Sequence, residues 1–353
     1  MRAHVVIGAN FGDEGKGLVT DYLCSQGAGM VVRFNGGAQA GHTVVTPGGD
    51  RHVFGHFGSG SFVGVPTYLS QYFVCNPILF FREAKKLHEL GYVPTVYAHP
   101  SCLITTHVDM IVNQRKETAR GDKRHGSCGV GVHETIQRSA VVELKLTMAD
   151  LWNHIGSLPA LMERLCDRWA KFRTGSAIVE PAMTEAFIKT CWAFAEAVHP
   201  LGIQQCPDPI FEGAQGLLLD QDNKEYWPHV THSSTGMKNV RVLCQQGGFD
   251  GIDPYYVSRT YLTRHGAGTL PGENPKMAFE DATNVEHPWQ GTLRFAPLDY
   301  NAMAKRAAVD AYGPHKLVMT HCDQLDKEGG DLRWYGPTRD DVRETSKAVR
   351  MYA

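Results

Sequence analysis

The stretch AHVVIGANFGDEGKGLVTDYL, residues 3–23, decides the architecture. Residues 3–7 (AHVVI), apolar but for His4, read as a buried strand. Residues 8–17 are punctuated by glycine, and Leu18, Val19, Tyr22 and Leu23 then recur at helical spacing. Strand, glycine loop and helix in that order open an α/β fold. The expected architecture is a mostly parallel central sheet flanked by helices, arranged as one domain over residues 1–353.

Within GANFGDEGKG (8–17), Gly12, Gly15 and Gly17 let the backbone turn tightly and aim its amides at an anion. The helix that follows adds partial positive charge at its N-terminus, and Lys16 reaches phosphate oxygens. The loop is P-loop-like without being G-x-x-x-x-G-K-[ST]: Asn10 stands five residues before Gly15, and Gly17 follows Lys16 where a hydroxyl residue would bind magnesium. Two acids, Asp13 and Glu14, sit inside the loop instead. A carboxylate beside phosphates is repulsive unless it holds a metal ion or moves a proton. A second cluster, RFNGGAQAGHT (33–43), follows another strand and presents Gln39, Gly41, His42 and Thr43. His42 lies in a polar glycine loop with no apolar face to pack on, which favours catalysis or phosphate binding.

Working outward, strands are expected at 30–34, 72–76, 93–98, 140–146, 208–211 and 316–322, and helices at 148–171, 182–198, 253–263 and 299–312. Residues 265–297, rich in Gly, Pro, Asn and Thr, read as a long functional loop. Lys plus Arg number 35 and Asp plus Glu 37, so no concentrated positive charge points to nucleic acid. No apolar run is long enough for a transmembrane helix and no secretory signal is visible, so no membrane partner and a cytoplasmic protein are expected (host cytoplasm if the source is viral). The nine scattered cysteines show no C-x-x-C spacing and read as reduced thiols.

GDEGKG, NGGAQAGHT, FEGAQGLLLD (211–220), PHVTHSS (228–234) and TRHGAG (263–268) resemble the adenylosuccinate synthetase family in order and spacing, and GPTR (336–339) is similar to the family's terminal motif. The resemblance implies a ligase joining L-aspartate to C6 of a purine monophosphate, driven by a nucleoside triphosphate through a 6-phosphoryl intermediate. It implies Asp13 as general base and Mg²⁺ ligand, and His42 as the group that stabilises charge on the transferring phosphoryl. It places Gly12, Gly15, Lys16, Gly17, Gly41, Thr43, His321, Asp323, Gly336 and Pro337 around the triphosphate, with the Gly41 carbonyl on the metal. For the acceptor nucleotide it implies Asp13, Gln39, Ser127, Cys128, Gln215, Thr231 and His265, with Arg138 reaching across a homodimer interface to the 5′-phosphate. For aspartate it implies Gly291, Thr292 and Arg294.

Three departures bear on substrate. The family's arginine-rich aspartate loop is reduced to HPWQGTLRFAPLD (287–299), with Arg294 its one cation. The base-reading T-K-x-D is THCD (320–323), so His321 replaces lysine. Only about ten residues separate Asp326 from GPTR, where most members carry a longer insertion. The compact form resembles archaeal enzymes and the phage branch that makes a 2-aminoadenine precursor. Two readings stay open: dGMP as acceptor, favoured by these departures, and IMP, favoured by retention of Asp13. GTP, ATP or dATP would be the donor. A GTP-binding NTPase switch is the alternative from another class.

Overall fold

The computed structural model describes residues 2–121, 127–153, 155–171, 179–281, 283–284 and 291–345. A ten-stranded sheet runs through the molecule. From one edge to the other its strands are Val342–Glu344, Leu332–Trp334, Lys316–Thr320, Gly251–Arg259, Arg2–Gly8, Pro209–Gly216, Met30–Arg33, Thr67–Leu69, Val96–Ala98 and Val198–Pro200. Every neighbouring pair is parallel except the first, where Leu332–Trp334 and Val342–Glu344 run antiparallel.

Ala3, Val5, Val6 and Ile7 are all apolar because both faces of their strand are covered, with His4 only half-buried between them. Side chains alternate across a strand. Ala3, Val5 and Ile7 therefore pack with Met237, Val240, Leu243, Met303 and Ala307 from helices Met237–Gly247 and Tyr300–Ala311. Val6 points the other way, into Leu18, Val19 and Leu23 of helix Lys16–Ser25. A third cluster, built on helices Pro77–Glu89, His107–Arg120 and Pro181–Ala197, covers the far half.

Several expectations change. Residues 253–263 are not a helix. They belong to the strand Gly251–Arg259 and to Tyr261–Arg264, which pairs antiparallel with Arg294–Pro297. The period there is two: Tyr255 and Val257 face one core cluster and Tyr256 the other. Residues 140–146 hold a short 3₁₀ turn, Val142–Leu144, with Val142 in solvent, in place of a strand. The single helix expected at 148–171 is interrupted: Met148–Asn153 and Leu158–Arg164 are separate, the second continuing into a π turn at Leu165–Ala170. At 72–76 only Val74–Cys75 is strand. The long loop at 265–297 ends in the strand Arg294–Pro297, and its residues 285–290 lie outside the described ones. Helices Pro77–Glu89, His107–Arg120, Val132–Ser139 and Met237–Gly247 were not foreseen.

Candidate active site

Five parallel strands end on one side of the sheet, and the chemistry-bearing loops leave from those ends. Gly8 leads into the glycine loop, Arg33 into 34–41, Gln215 and Gly216 close their strand, Arg259 ends another and His321 follows Thr320. This is the edge where open α/β sheets collect ligands.

The two acids of the glycine loop point in opposite directions. Glu14 curls inward. Its carboxylate accepts the Asn10 amide and lies 3.7 Å from the Lys16 ammonium, both side chains being buried. Burial pushes Glu14 up to about 7. A Cβ on Gly8 would stand 2.0 Å from that carboxylate, so only glycine fits there. Asp13 takes left-handed backbone (φ 58°) and turns its carboxylate outward, 3.8 Å from Nε2 of His265. The loop is bolted down by distant residues. Thr320 donates to the Glu14 carbonyl at 2.8 Å, Arg306 to the Ala9 carbonyl at 2.9 Å and Thr263 to the Gly12 carbonyl at 3.2 Å, while Arg259 donates to the Asp13 carbonyl. Gly15, at φ 90°, precedes the first turn of the helix, leaving its amides unbonded within the helix.

Opposite the loop, His42 opens the hairpin strand His42–Val45. Its Nδ1 lies 2.7 Å from Glu212 Oε1. Glu212 also accepts from the Ser59 amide (3.2 Å) and hydroxyl, and Arg33, fully buried, stands 3.6 Å away. Burial alone would raise Glu212, but His42, Arg33 and Ser59 bring it down to about 2. Burial lowers His42 to about 4 against the pull of Glu212. With the permanent guanidinium of Arg33 compensating the carboxylate, the ring is neutral. It donates Nδ1–H to Glu212 and presents Nε2, which has no hydrogen-bond partner. An oxyanion is stabilised there only when Nε2 carries a proton, and the Glu212 carboxylate at Nδ1 favours that imidazolium. Glu212 stood in plain sight in FEGAQG, but its glutamine took the assignment; a carboxylate inside a buried strand was the missed signal.

The glycine loop and His42 line a cavity of about 370 Å³, with Glu212 and Arg33 behind the histidine. Of the residues expected around a triphosphate, Gly15, Lys16, Gly17, Gly41, Thr43, His321, Asp323, Gly336 and Pro337 line it, together with Asp13 and His42. Gly12 lies beneath, against Gln215. His321 is held in left-handed backbone (φ 58°), its Nδ1 2.9 Å from Thr320 Oγ1 and its ring edge-on to Tyr261. Burial first, then Arg259, lowers it to about 3, so the ring is neutral. Arg51, Arg259, Asp281, Thr283 and Asn284 also line the cavity and were not foreseen. Arg259 and Asp281 are paired at 2.7 Å.

The expected acceptor residues are scattered around the other flank. Gln39 lies beside Gly36, which abuts Ala214, and Gln215 (φ 61°) covers Gly12. The Oε1 atoms of both glutamines are buried with no hydrogen-bond partner. Ser127 donates to Asn113 at 3.0 Å, and burial pushes the neighbouring Cys128 thiol up to about 11. Thr231 donates its amide to the Leu219 carbonyl at 2.8 Å and leaves its half-buried side chain beside the loop. Gly291 and Thr292 are exposed. Arg294 donates to Glu273 (2.7 Å) and to the carbonyls of Gly266 and Gly268 (2.8 Å each), so it braces the TRHGAG turn.

Arg138 is a correction. It does not reach outward towards a partner subunit: it is fully buried. Its Nε lies 3.0 Å from Asp109, and its terminal nitrogens donate to the carbonyls of Leu144 and Ile104. A guanidinium whose every nitrogen is engaged inside the fold cannot cross an interface.

A parallel sheet with an amide-rich loop, a lysine, an outward carboxylate and a carboxylate-held histidine around one cavity defines a nucleotide-binding α/β enzyme. The family model described as adenylosuccinate synthetase matches residues 5–329, and the chain belongs to that family of carbon–nitrogen ligases. Among curated relatives, the adenylosuccinate synthetases of Ectopseudomonas mendocina (strain ymp) and Pseudomonas fluorescens (strain Pf-5) are 32% and 30% identical to it, over 91% of this chain and 77% of theirs. The fully ligated adenylosuccinate synthetase of Plasmodium falciparum shares the fold at a TM-score of 0.74 and 19% identity, covering 91% of this chain and 77% of that one. The cyanophage S-2L succinoaminodeoxyadenylate synthetase (PurZ), bound to dGMP and dATP as an energy donor, superposes with a TM-score of 0.65 and 16% identity, covering 98% of this chain and 96% of its own. No helix among the described residues is long and apolar enough to cross a membrane.

Proposed function

We propose that this ligase joins L-aspartate to C6 of dGMP at the expense of ATP or dATP, giving the 2-amino-2′-deoxy-N6-succinyl product. The observation that carries the ligase chemistry is that Asp13 and His42 line one cavity with Lys16 and the loop amides. Asp13 takes the N1 proton of the purine, so that O6 becomes the nucleophile. O6 attacks the γ-phosphorus of the triphosphate and the nucleoside diphosphate leaves. His42, protonated at Nε2 as the phosphoryl anion arrives, and Lys16 meet the charge on the transferring phosphoryl. The amine of aspartate then attacks C6, phosphate departs and the amine loses its proton. Arg294, Gly291 and Thr292 would hold the aspartate, Arg294 by exchanging Glu273 for the ligand carboxylate.

Among the described residues no three His, Cys, Asp or Glu side chains converge as a metal cage. That fits Mg²⁺, which takes one or two protein oxygens and completes its shell with phosphates and water. Asp13 and the Gly41 carbonyl would hold it, where it would neutralise phosphate charge.

Two observations favour the dGMP reading over IMP, and one, at His321, bears on an adenine donor. Guanine carries a 2-amino donor where hypoxanthine has only C–H, and the buried Oε1 atoms of Gln39 and Gln215 are acceptors without partners. A neutral, flat His321 stacks on adenine as readily as on guanine. The chain covers PurZ nearly end to end, 96% of it, against 77% of the longer relatives. The IMP and GTP reading is favoured by the bacterial relatives named above.

The test is the purified protein with Mg²⁺ and L-aspartate, crossing dGMP, GMP and IMP with dATP, ATP and GTP, and scoring product mass. Succinylated dGMP with either adenine triphosphate is expected. Equal or better kcat/KM for IMP returns the enzyme to adenylosuccinate formation. Hydrolysis without any succinylated product supports a nucleotide switch.

A further inference from the structure

Lys16, Arg51 and Arg259 are the lysine and arginine side chains lining the triphosphate cavity. Two of them are already committed. Lys16 has the Glu14 carboxylate 3.7 Å away. Arg259 donates from Nε to the Asp13 carbonyl, from one terminal nitrogen to the Tyr261 hydroxyl (3.1 Å) and from the other to Asp281 (2.7 Å). Arg51 is different. Among the described residues no carboxylate lies within 4.0 Å of its guanidinium, and its side chain makes one hydrogen bond, from a terminal nitrogen to Thr283 Oγ1 at 2.8 Å. Most of its N–H donors are therefore open to a ligand. The cavity also holds the carboxylates of Asp13, Glu14, Glu280, Asp281 and Asp323, so a polyanion entering it needs the positive charge that is not already matched.

The hairpin fixes where that charge falls. His42–Val45 pairs antiparallel with Arg51–Phe54, and Arg51 stands opposite Val45. Val44, His52 and Phe54 turn inward and are buried, which leaves Thr43, Val45 and Arg51 on the side that faces the cavity. Val45 is bridged to Thr338, the neighbour of Pro337. That segment lies beside THCD, whose Cys322 amide donates to the Trp334 carbonyl at 2.9 Å. In the other direction, Thr283 Oγ1 also accepts from Thr43 Oγ1 at 3.3 Å, so the Arg51 guanidinium is drawn back along the hairpin towards the neighbour of His42. Thr283 is itself held: its amide and that of Asn284 donate to Asp281 Oδ1 at 2.9 Å each, and Arg259 holds the other oxygen. Arg51 thus stands between the THCD side, which would take the base, and His42 with Lys16, which would take the γ-phosphoryl.

We propose that Arg51 is a ligand of the α,β-diphosphate of the triphosphate, the part that leaves as nucleoside diphosphate, and that Thr283 holds the guanidinium ready for it. The inference rests on the ligase reading above for the direction in which the triphosphate lies. A planar fork that donates to two phosphate oxygens at once is the contact arginine suits and lysine does not.

The experiment measures Kd for Mg-dATP and Mg-dADP, with GTP and GDP in parallel, by titration calorimetry on wild type, Arg51→Met, Arg51→Lys and Thr283→Val, together with KM for the acceptor and the thermal midpoint. A charge-assisted contact of this kind is worth about tenfold to a hundredfold in affinity. Arg51→Met should lose that factor equally for triphosphate and diphosphate, with acceptor KM within about twofold and the thermal midpoint retained, since the side chain is exposed. Arg51→Lys should fall between, and Thr283→Val, which removes the latch and keeps the charge, should lose clearly less than Arg51→Met. Wild-type affinity in Arg51→Met would overturn the inference. So would a loss confined to the triphosphates, which would put Arg51 on the γ-phosphate, or equal losses in Arg51→Met and Thr283→Val, which would make it a latch alone. A wild-type protein that binds these nucleotides but makes no succinylated product would overturn the ligase reading, while the paired affinities still decide the role of Arg51. Wild type that binds none of the four would overturn both.

Discussion

Nδ1 of His42 lies 2.7 Å from Oε1 of Glu212, and Arg33 stands 3.6 Å behind that carboxylate. The three groups come from three different strands and are all buried. Glu212 therefore does two things: it fixes the His42 tautomer and compensates the Arg33 charge. Glu212→Gln should lower kcat at least about tenfold by disturbing His42, the group we propose meets phosphoryl charge. It should also destabilise the fold by about 3–5 kcal/mol, because a buried cation loses its partner. Urea denaturation and steady-state kinetics read the two effects separately.

Asp13→Ala should leave the fold intact, since the Asp13 carboxylate is part-exposed and the loop is held by its carbonyls. Turnover should fall about a hundredfold or more, the ordinary worth of a general base. His42→Ala should lose a comparable factor. Near-normal turnover in a folded variant of either would remove that residue from the mechanism.

Arg138→Ala should act on stability and not on nucleotide affinity. It strands Asp109 and two carbonyls in the interior, at a cost of about 3–5 kcal/mol. A normal denaturation midpoint with a raised KM for the acceptor would restore a surface role for this arginine.

Glu83 predicts an acid limb of stability. Burial would raise its carboxyl, but the rings of His52 and His56 and the amides of Gly55 and His56, both at 2.8 Å, bring it down to about 2. A depressed carboxyl contributes stability that is present above its unfolded value, near 4.5, and is lost as pH falls towards 2. Glu83→Gln should therefore cost most at pH 7, and its deficit should shrink between about pH 4.5 and 2. Thermal midpoints of both proteins across that range give the answer. A deficit independent of pH would mean that packing, not charge, is lost.

Gln39→Leu should erode selectivity between acceptors. Removing a buried acceptor for the 2-amino group costs dGMP about 1–3 kcal/mol, or about 5- to 150-fold, and costs IMP less. The ratio of kcat/KM for dGMP to that for IMP should fall accordingly. An unchanged ratio would place the reading of the purine 2-position elsewhere.

Local chemistry made the first strand, the glycine loop and the helix after it legible, since glycine, lysine and helix spacing act within about twenty residues. The strand at Gly251–Arg259 was read as helix because a short run of aromatic and β-branched residues fits either period until two packed faces select one. Nothing local distinguishes Glu14 from Asp13. Only the buried Lys16 and the missing side chain of Gly8 draw one carboxylate inward and leave the other facing the cavity. Arg138 looks like any helix arginine until Asp109, 29 positions away, closes on it. The pairings of His42 with Glu212, 170 positions apart, and of His265 with Asp13 were likewise decided by the sheet, which delivers remote strand ends to one edge. Residue types and their spacing determined which chemistry the chain carries. Which groups share a proton, a charge or a cavity was set by tertiary contact, because hydrogen bonding and charge compensation depend on distances that chain spacing does not encode.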